Sequence, residues 1–282
     1  MDWIQTLILA LVQGVTEFLP ISSSGHLLVL QDLFTALGST LKGDTLTWTI
    51  ALHFGTLISI LVVFWKRIRS LLTSDRRVIP LVIVATIPAV MAVAGLKILS
   101  KKFLGNEDML DDYLLKNSLV AGFCFPITGL ILLYCSDKSG GTLCRELSWK
   151  SALGIGLVQA IAILPGISRS GSTICAGLLC RLRRDEAATF SFLMAIPAIG
   201  GGALLEIVKL LKEMKNGTTS FGSSHDLLLL GVGTVLSCVA GILALMLLIN
   251  WLQQGKLKYF AYWLFLLGPV VIVWQVWLVF FV

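Results

Sequence analysis

Two short, related stretches of an otherwise apolar chain carry its chemically capable side chains: Gln13, Glu17, Ser22, Ser23 and His26 in the first, Ser168, Arg169, Ser170 and Thr173 in the second. Gln13 and Glu17 are four residues apart, so on a helix they share a face. A serine close to an imidazole and a carboxylate is the set that activates a nucleophile, or that moves protons to and from water. Arg169 adds a planar cation whose fork matches two phosphate oxygens at once. The competing role for Arg169 is an ion pair with Glu17 that pins the two stretches together, and the two roles are compatible. For the serines the competing role is capping of helix ends, which is expected of some of them.

The stretches are copies of one pattern. LVQGVTEFLPISSSGH starts at Leu11 and LVQAIAILPGISRSGST at Leu157; Gln13 aligns with Gln159 and Ile21 with Ile167, an offset of 146 residues. In each, Leu-Pro followed by Ile-Ser-x-Ser-Gly divides an apolar helix into arms too short to cross a bilayer, which takes about 20 residues. Such breaks are tolerated in lipid only where the freed backbone groups meet protein, water or a ligand. Both stretches therefore read as re-entrant hairpins whose second arms start among serines. Two helix N-termini meeting near the membrane centre would offer N–H donors and positive dipole ends to an anion, phosphate above all.

Composition sets the solvent. Hydrophobic residues make up 56% of the 282 and charged residues 13%, and the mean hydropathy is +0.90, which predicts an integral membrane protein. Apolar runs at Trp48–Trp65, Val78–Leu99, Leu114–Cys135, Ala187–Val208, Leu227–Trp251 and Phe260–Val282 are each long enough to span. The predicted fold class is all-α and polytopic, with six transmembrane helices and two re-entrant hairpins meeting near the midplane. One hairpin and three crossings per half give repeat one over 1–146 and repeat two over 147–282. Because three is odd, the halves are inverted with respect to each other.

The net charge of +6 comes from Lys and Arg gathered at the ends of apolar runs rather than in a stripe, so no nucleic-acid partner is expected. Thirteen of the 22 basic residues, among them Arg67, Arg76, Lys138, Arg145 and Arg183, fall in loops on one side, which places both termini on the outer face. Trp48 and Trp65 are expected to anchor the first span at the two interfaces. No removable leader is expected at the N-terminus, which lacks a basic start and a small-residue cleavage pattern. The six cysteines lie mostly in apolar runs without ligand spacing and read as plain thiols. His53, inside the first span, reads as a packing or hydrogen-bonding residue.

At Gln13-Gly14-Val15-Thr16-Glu17, Pro20-Ile21-Ser22-Ser23-Ser24-Gly25-His26 and Pro165-Gly166-Ile167-Ser168-Arg169-Ser170-Gly171-Ser172-Thr173 the chain resembles the bacterial undecaprenyl-diphosphate phosphatase family of the BacA type, associated with bacitracin resistance. The resemblance runs over essentially the whole chain. It implies an enzyme of the inner (plasma) membrane that hydrolyses undecaprenyl diphosphate to the monophosphate and recycles a lipid carrier of cell-wall synthesis. It also implies a divalent cation, Mg2+ or Ca2+, on Glu17 and Gln13, although glutamine at position 13 leaves the site one carboxylate fewer than members with glutamate there. On this reading Ser23, His26, Glu17 and Arg169 are catalytic, and Ser22, Ser168, Arg169, Ser170 and Thr173 bind substrate. The expected partners are the lipid substrate and membrane lipids, with a homodimer left open. A phosphoseryl intermediate and direct attack by water both remain open. The competing class is a transporter of a phosphorylated lipid, since inverted repeats with broken helices also build transporters. The reactive hydroxyl, imidazole and carboxylate favour the enzyme, because a carrier has no evident use for His26.

Overall fold

Long apolar segments must hide every backbone polar group, and the helix is the local way to do so. The computed structural model describes residues 3–38, 45–106, 109–215 and 224–281, and their architecture is helical, with an isolated bridge between Thr142 and Leu182. Hairpin one is α1 (Trp3–Phe18) and α2 (Ser23–Ala36); it is followed by α3 (Thr45–Val63), α4 (Trp65–Leu71), α5 (Val78–Leu104) and α6 (Ser118–Cys135). Hairpin two is α7 (Trp149–Ile161) and α8 (Arg169–Leu179), followed by α9 (Arg184–Lys215), α10 (Ser224–Gln253) and α11 (Leu257–Phe281). Among the described residues α5, α6, α9, α10 and α11 are long and apolar enough to cross a membrane, and α3 with α4, bent by 73°, makes a sixth span. The chain is a multi-pass membrane protein. The bend at Phe64 comes where Trp65, Lys66, Arg67 and Arg69 follow an apolar run; charged side chains leave the hydrocarbon there, and α4 turns aside with them.

Helix starts reproduce the repeat offset. Trp3 and Trp149, Ser23 and Arg169, and Val78 and Ser224 are the first residues of corresponding helices, each pair 146 apart. Packing follows the same correspondence, because α1 lies on α10 while its counterpart α7 lies on α5, the counterpart of α10. Each hairpin is thus held by a span of the other repeat. Small residues allow these approaches. A Cβ on Gly14 would lie 2.5 Å from the Ser237 carbonyl oxygen of α10, and one on Gly156 would lie 2.3 Å from that of Ala85 on α5. Where α6 meets its counterpart α11, Gly122 abuts Ile272 and Gly268 abuts Pro126. Both pairs map onto each other under the same offset, so the contact sits on a local two-fold axis.

Outside the hairpins, one end of the bundle is fastened by charge. Arg67 pairs with Asp75 at 2.6 Å and with Glu186 at 3.0 Å, and the Glu186 carboxylate also accepts the Cys144 backbone N–H at 2.7 Å. Trp65 is exposed as expected, but Trp48 is 7% exposed and packs beside Gly233 of α10. The close approach of α3 to α10 buries the Trp48 indole against protein. The six cysteines are free thiols.

Candidate active site

The two hairpins meet tip to tip. The backbone N–H of Gly166, in the second break, donates to Ser22 Oγ in the first at 3.0 Å. Ser170 Oγ donates to the Leu19 carbonyl at 3.2 Å. Across this junction Arg169 donates through one Nη to Glu17 Oε1, with both side chains largely buried. The other carboxylate oxygen, Glu17 Oε2, accepts from Ser23 Oγ at 2.6 Å and from Gln13 Nε2 at 3.2 Å. The ion pair weighed against phosphate binding is therefore present in this state. A buried pair of this kind contributes little net stability, yet breaking it leaves an uncompensated charge at a cost of about 3–5 kcal/mol.

The two second arms begin differently. Ser168 Oγ accepts from Gly171 N–H at 3.1 Å and caps α8 as expected. Ser22, in the corresponding place, makes no side-chain cap to α2. The capping expectation is corrected there, because Ser22 Oγ is spent on Gly166 of the other hairpin. Ser22 also holds φ 70°, a left-handed conformation uncommon outside glycine and one that costs energy. Its carbonyl is fixed by two donors of His26, the backbone N–H at 3.2 Å and Nδ1 at 2.8 Å.

That second bond decides the place of the histidine. Trp263 of α11 donates its indole N–H to His26 Nε2 at 3.0 Å, and an indole can only donate. Nε2 is then the unprotonated nitrogen, and Nδ1 carries the hydrogen given to Ser22. The ring lies stacked on Trp263 and edge-on to Phe125. In this state both ring nitrogens of His26 are engaged away from Ser23, and the imidazole lines neither of the site cavities.

A cavity of about 360 Å3 opens beside the junction and is walled by Glu17, Ser23, Ser24, Gln159 and Arg169 at its polar end and by apolar residues of α5, α7 and α9 elsewhere. A smaller recess of about 40 Å3 lies between the starts of α2 and α8, among Ser22, Ser23, Ser168, Arg169 and Ser170. His53, expected to pack or to hydrogen-bond, does bond, Nδ1 lying 2.8 Å from the Thr49 carbonyl, and it also lines the larger cavity. Thr173 does not reach either space. Its hydroxyl bonds Ser191 of α9 at 2.6 Å and the Arg169 carbonyl at 2.8 Å, and so ties α8 to α9 in this state.

In this state Glu17 accepts from three donors, and Gln13 presents its N–H to the carboxylate rather than its oxygen. Gln13 Oε1 is buried and finds no protein partner. Among the described residues no three His, Cys, Asp or Glu side chains gather as a metal-ligand set. Any cation here would rest on one carboxylate, one orphaned amide oxygen and the substrate.

Comparison with known proteins bears on this geometry. The family model described as "Bacitracin resistance protein BacA" matches residues 6–270. The chain belongs to the BacA family. Relatives named undecaprenyl-diphosphatase include one from Rhodopirellula baltica, 44% identical over 96% of this chain and 97% of that protein. Another, from Thermodesulfovibrio yellowstonii, is 37% identical over 95% of each chain. A Bacillus cereus protein named undecaprenyl-diphosphatase 3 is 38% identical over 98% of each. As in the BacA reading of the sequence, the residues that meet at the hairpin junction are those of the three quoted motifs, whereas His53 and Gln159 were not singled out by it.

Proposed function

We infer that this chain hydrolyses undecaprenyl diphosphate to undecaprenyl phosphate and inorganic phosphate, returning the lipid carrier to cell-wall synthesis. The observation that carries the mechanism is the 2.6 Å bond from Ser23 Oγ to Glu17 Oε2 beside Arg169. The cavity is polar at that end and apolar along α5, α7 and α9, the division expected for a charged head and an isoprenoid tail. The terminal phosphoryl group enters the recess between α2 and α8, and Arg169 turns from Glu17 to its oxygens. Glu17 then takes the proton of Ser23 as its Oγ bonds phosphorus, and the bridging P–O bond breaks to release polyprenyl phosphate. Water next attacks the phosphoserine; Glu17 returns its proton to Ser23 Oγ as that P–O bond breaks, and the phosphate leaves carrying both hydrogens of the water, as H2PO4−. Arg169 and the N–H groups at the start of α2, which lack a side-chain cap, balance charge on the transferring group.

A divalent cation, Mg2+ or Ca2+, fits this arrangement as a ligand shared with substrate. Once Arg169 has turned away, Glu17 and the unpartnered Gln13 Oε1 are hard oxygen donors, and the diphosphate supplies the remaining oxygens. Bound there, the cation would neutralise phosphate charge. His26 acts as a positioning residue that holds the strained Ser22 carbonyl and so aims Ser23. The enzyme lies in the bacterial plasma membrane with both termini outside. In support, the basic loops are tied together at one end of the bundle, Arg67 to Glu186 and Arg184 to the Ser136 and Leu252 carbonyls.

The test is phosphate release from a polyprenyl diphosphate by the purified protein, with and without chelator. Release that the chelator suppresses is expected. A protein that binds the diphosphate and carries it across vesicles without releasing phosphate would be a transporter.

A further inference from the structure

Gln159 is the counterpart of Gln13, and the two have different fates. Gln13 gives its N–H to Glu17, four residues on. The residue four beyond Gln159 is Ile163, so the second repeat has no carboxylate to take the amide. Gln159 is 4% exposed, and neither its Nε2 nor its Oε1 finds a protein partner. In a membrane interior such orphaned amide atoms are unfavourable, and they persist where something else satisfies them. Gln159 lines the larger cavity with Glu17, Ser23, Ser24 and Arg169, but it does not line the recess between α2 and α8.

Resting on the phosphatase reading above, we propose that Gln159 Nε2 binds the phosphate that stays with the lipid, and so makes the site one for diphosphates. The placement follows from the two spaces. The recess takes the terminal phosphoryl group against Ser23, Arg169 and the start of α2. The second phosphate must then lie outside the recess, in the cavity that Gln159 lines, where a turn of the side chain brings its buried, unpartnered amide to the wall. Phosphate oxygens accept and do not donate when ionised, so Nε2 is the atom used; Oε1 is left for a cavity water. A hydrogen bond to a charged oxygen strengthens as that phosphate becomes the leaving group, and Gln159 therefore contributes to turnover as well as to binding.

Gln159→Leu separates this from a structural role. It removes two unpaired polar atoms from the interior, so the melting temperature of the detergent-purified protein holds or rises. Turnover per KM for a polyprenyl diphosphate should fall about 10- to 100-fold, the range for a hydrogen bond to a charged group. Competitive inhibition by farnesyl monophosphate should weaken by a similar factor, while inhibition by inorganic phosphate, which occupies the recess, stays as in the unsubstituted protein. Gln159→Asn, which retracts the amide by one methylene, should shift the same two quantities in the same direction. Unchanged farnesyl monophosphate inhibition in Gln159→Leu overturns the proposal. So does equal weakening of both inhibitors, or a lowered melting temperature with intact kinetics. Absence of hydrolysis by the unsubstituted protein instead overturns the phosphatase reading on which it rests.

Discussion

The two hairpins share one backbone plan and divide the chemistry between them. Under the 146-residue offset Glu17 corresponds to Ile163, Ser23 to Arg169 and His26 to Ser172. Ser23 and Arg169 are each the first residue of a second arm, so the inverted arrangement sets a hydroxyl and a guanidinium at equivalent places on either side of one carboxylate. Hairpin two is the conventional member, with Ser168 capping its helix. Hairpin one leaves α2 without that cap and holds Ser22 at a positive φ. The difference teaches that two facing helix starts of one plan carry different side chains: the serine and the carboxylate sit on the strained one and the guanidinium on the relaxed one. Neither hairpin contains a site by itself.

That division can be broken at each member. Among the partners of Ser23, Glu17→Gln should lower turnover most, by about 10²–10⁴-fold, if it removes the proton acceptor of Ser23. It also strands Arg169, so the folded fraction must be measured alongside; full turnover per folded molecule would remove Glu17 from the chemistry. Arg169→Lys keeps the charge and loses the fork, and a fall of about 10²–10³-fold in kcat is expected. Near-normal kcat there would leave Arg169 as only the pin between hairpins.

His26 sharpens the comparison, because its counterpart Ser172 has nothing to position. Misplacing Ser23 by loosening the Ser22 carbonyl should cost about 10²-fold in His26→Ala. Asparagine carries an amide nitrogen where histidine carries Nδ1, so His26→Asn should recover much of that loss with an unaltered pH profile. A variant series in which Asn is as poor as Ala would restore the imidazole to proton transfer. Smallest of all, Ser168→Ala should cost about 0.5–2 kcal/mol of stability, read by denaturation in detergent, with activity kept in the folded fraction.

Much of this was legible before the coordinates. Leu-Pro and Ile-Ser-x-Ser-Gly are local signals, and so is a run of apolar residues; the hairpins, the spans and the offset between helix starts follow from them. Which face of a span looks inward is not local. His53 and His26 are both lone histidines in apolar surroundings, and only the packing of α3 and α11 turns the first toward the cavity and the second toward Trp263. The partners of Thr173 and Trp48 are not local either, since Ser191 and Gly233 lie far from them in sequence. Gln159 was aligned with Gln13 from the outset, but its missing partner shows only when burial and hydrogen bonds are seen together.

The central claim is that Ser23, aimed by hairpin one and backed by Glu17, attacks a phosphoryl group held by hairpin two. It is tested most directly by following phosphate and polyprenyl monophosphate released from a polyprenyl diphosphate by the unsubstituted protein and by Ser23→Ala, each shown to bind a non-hydrolysable analogue. The account predicts equimolar release of both products by the former and, from Ser23→Ala, analogue binding with turnover reduced by about 10⁴-fold or more. Hydrolysis by Ser23→Ala within tenfold of the unsubstituted rate would contradict it.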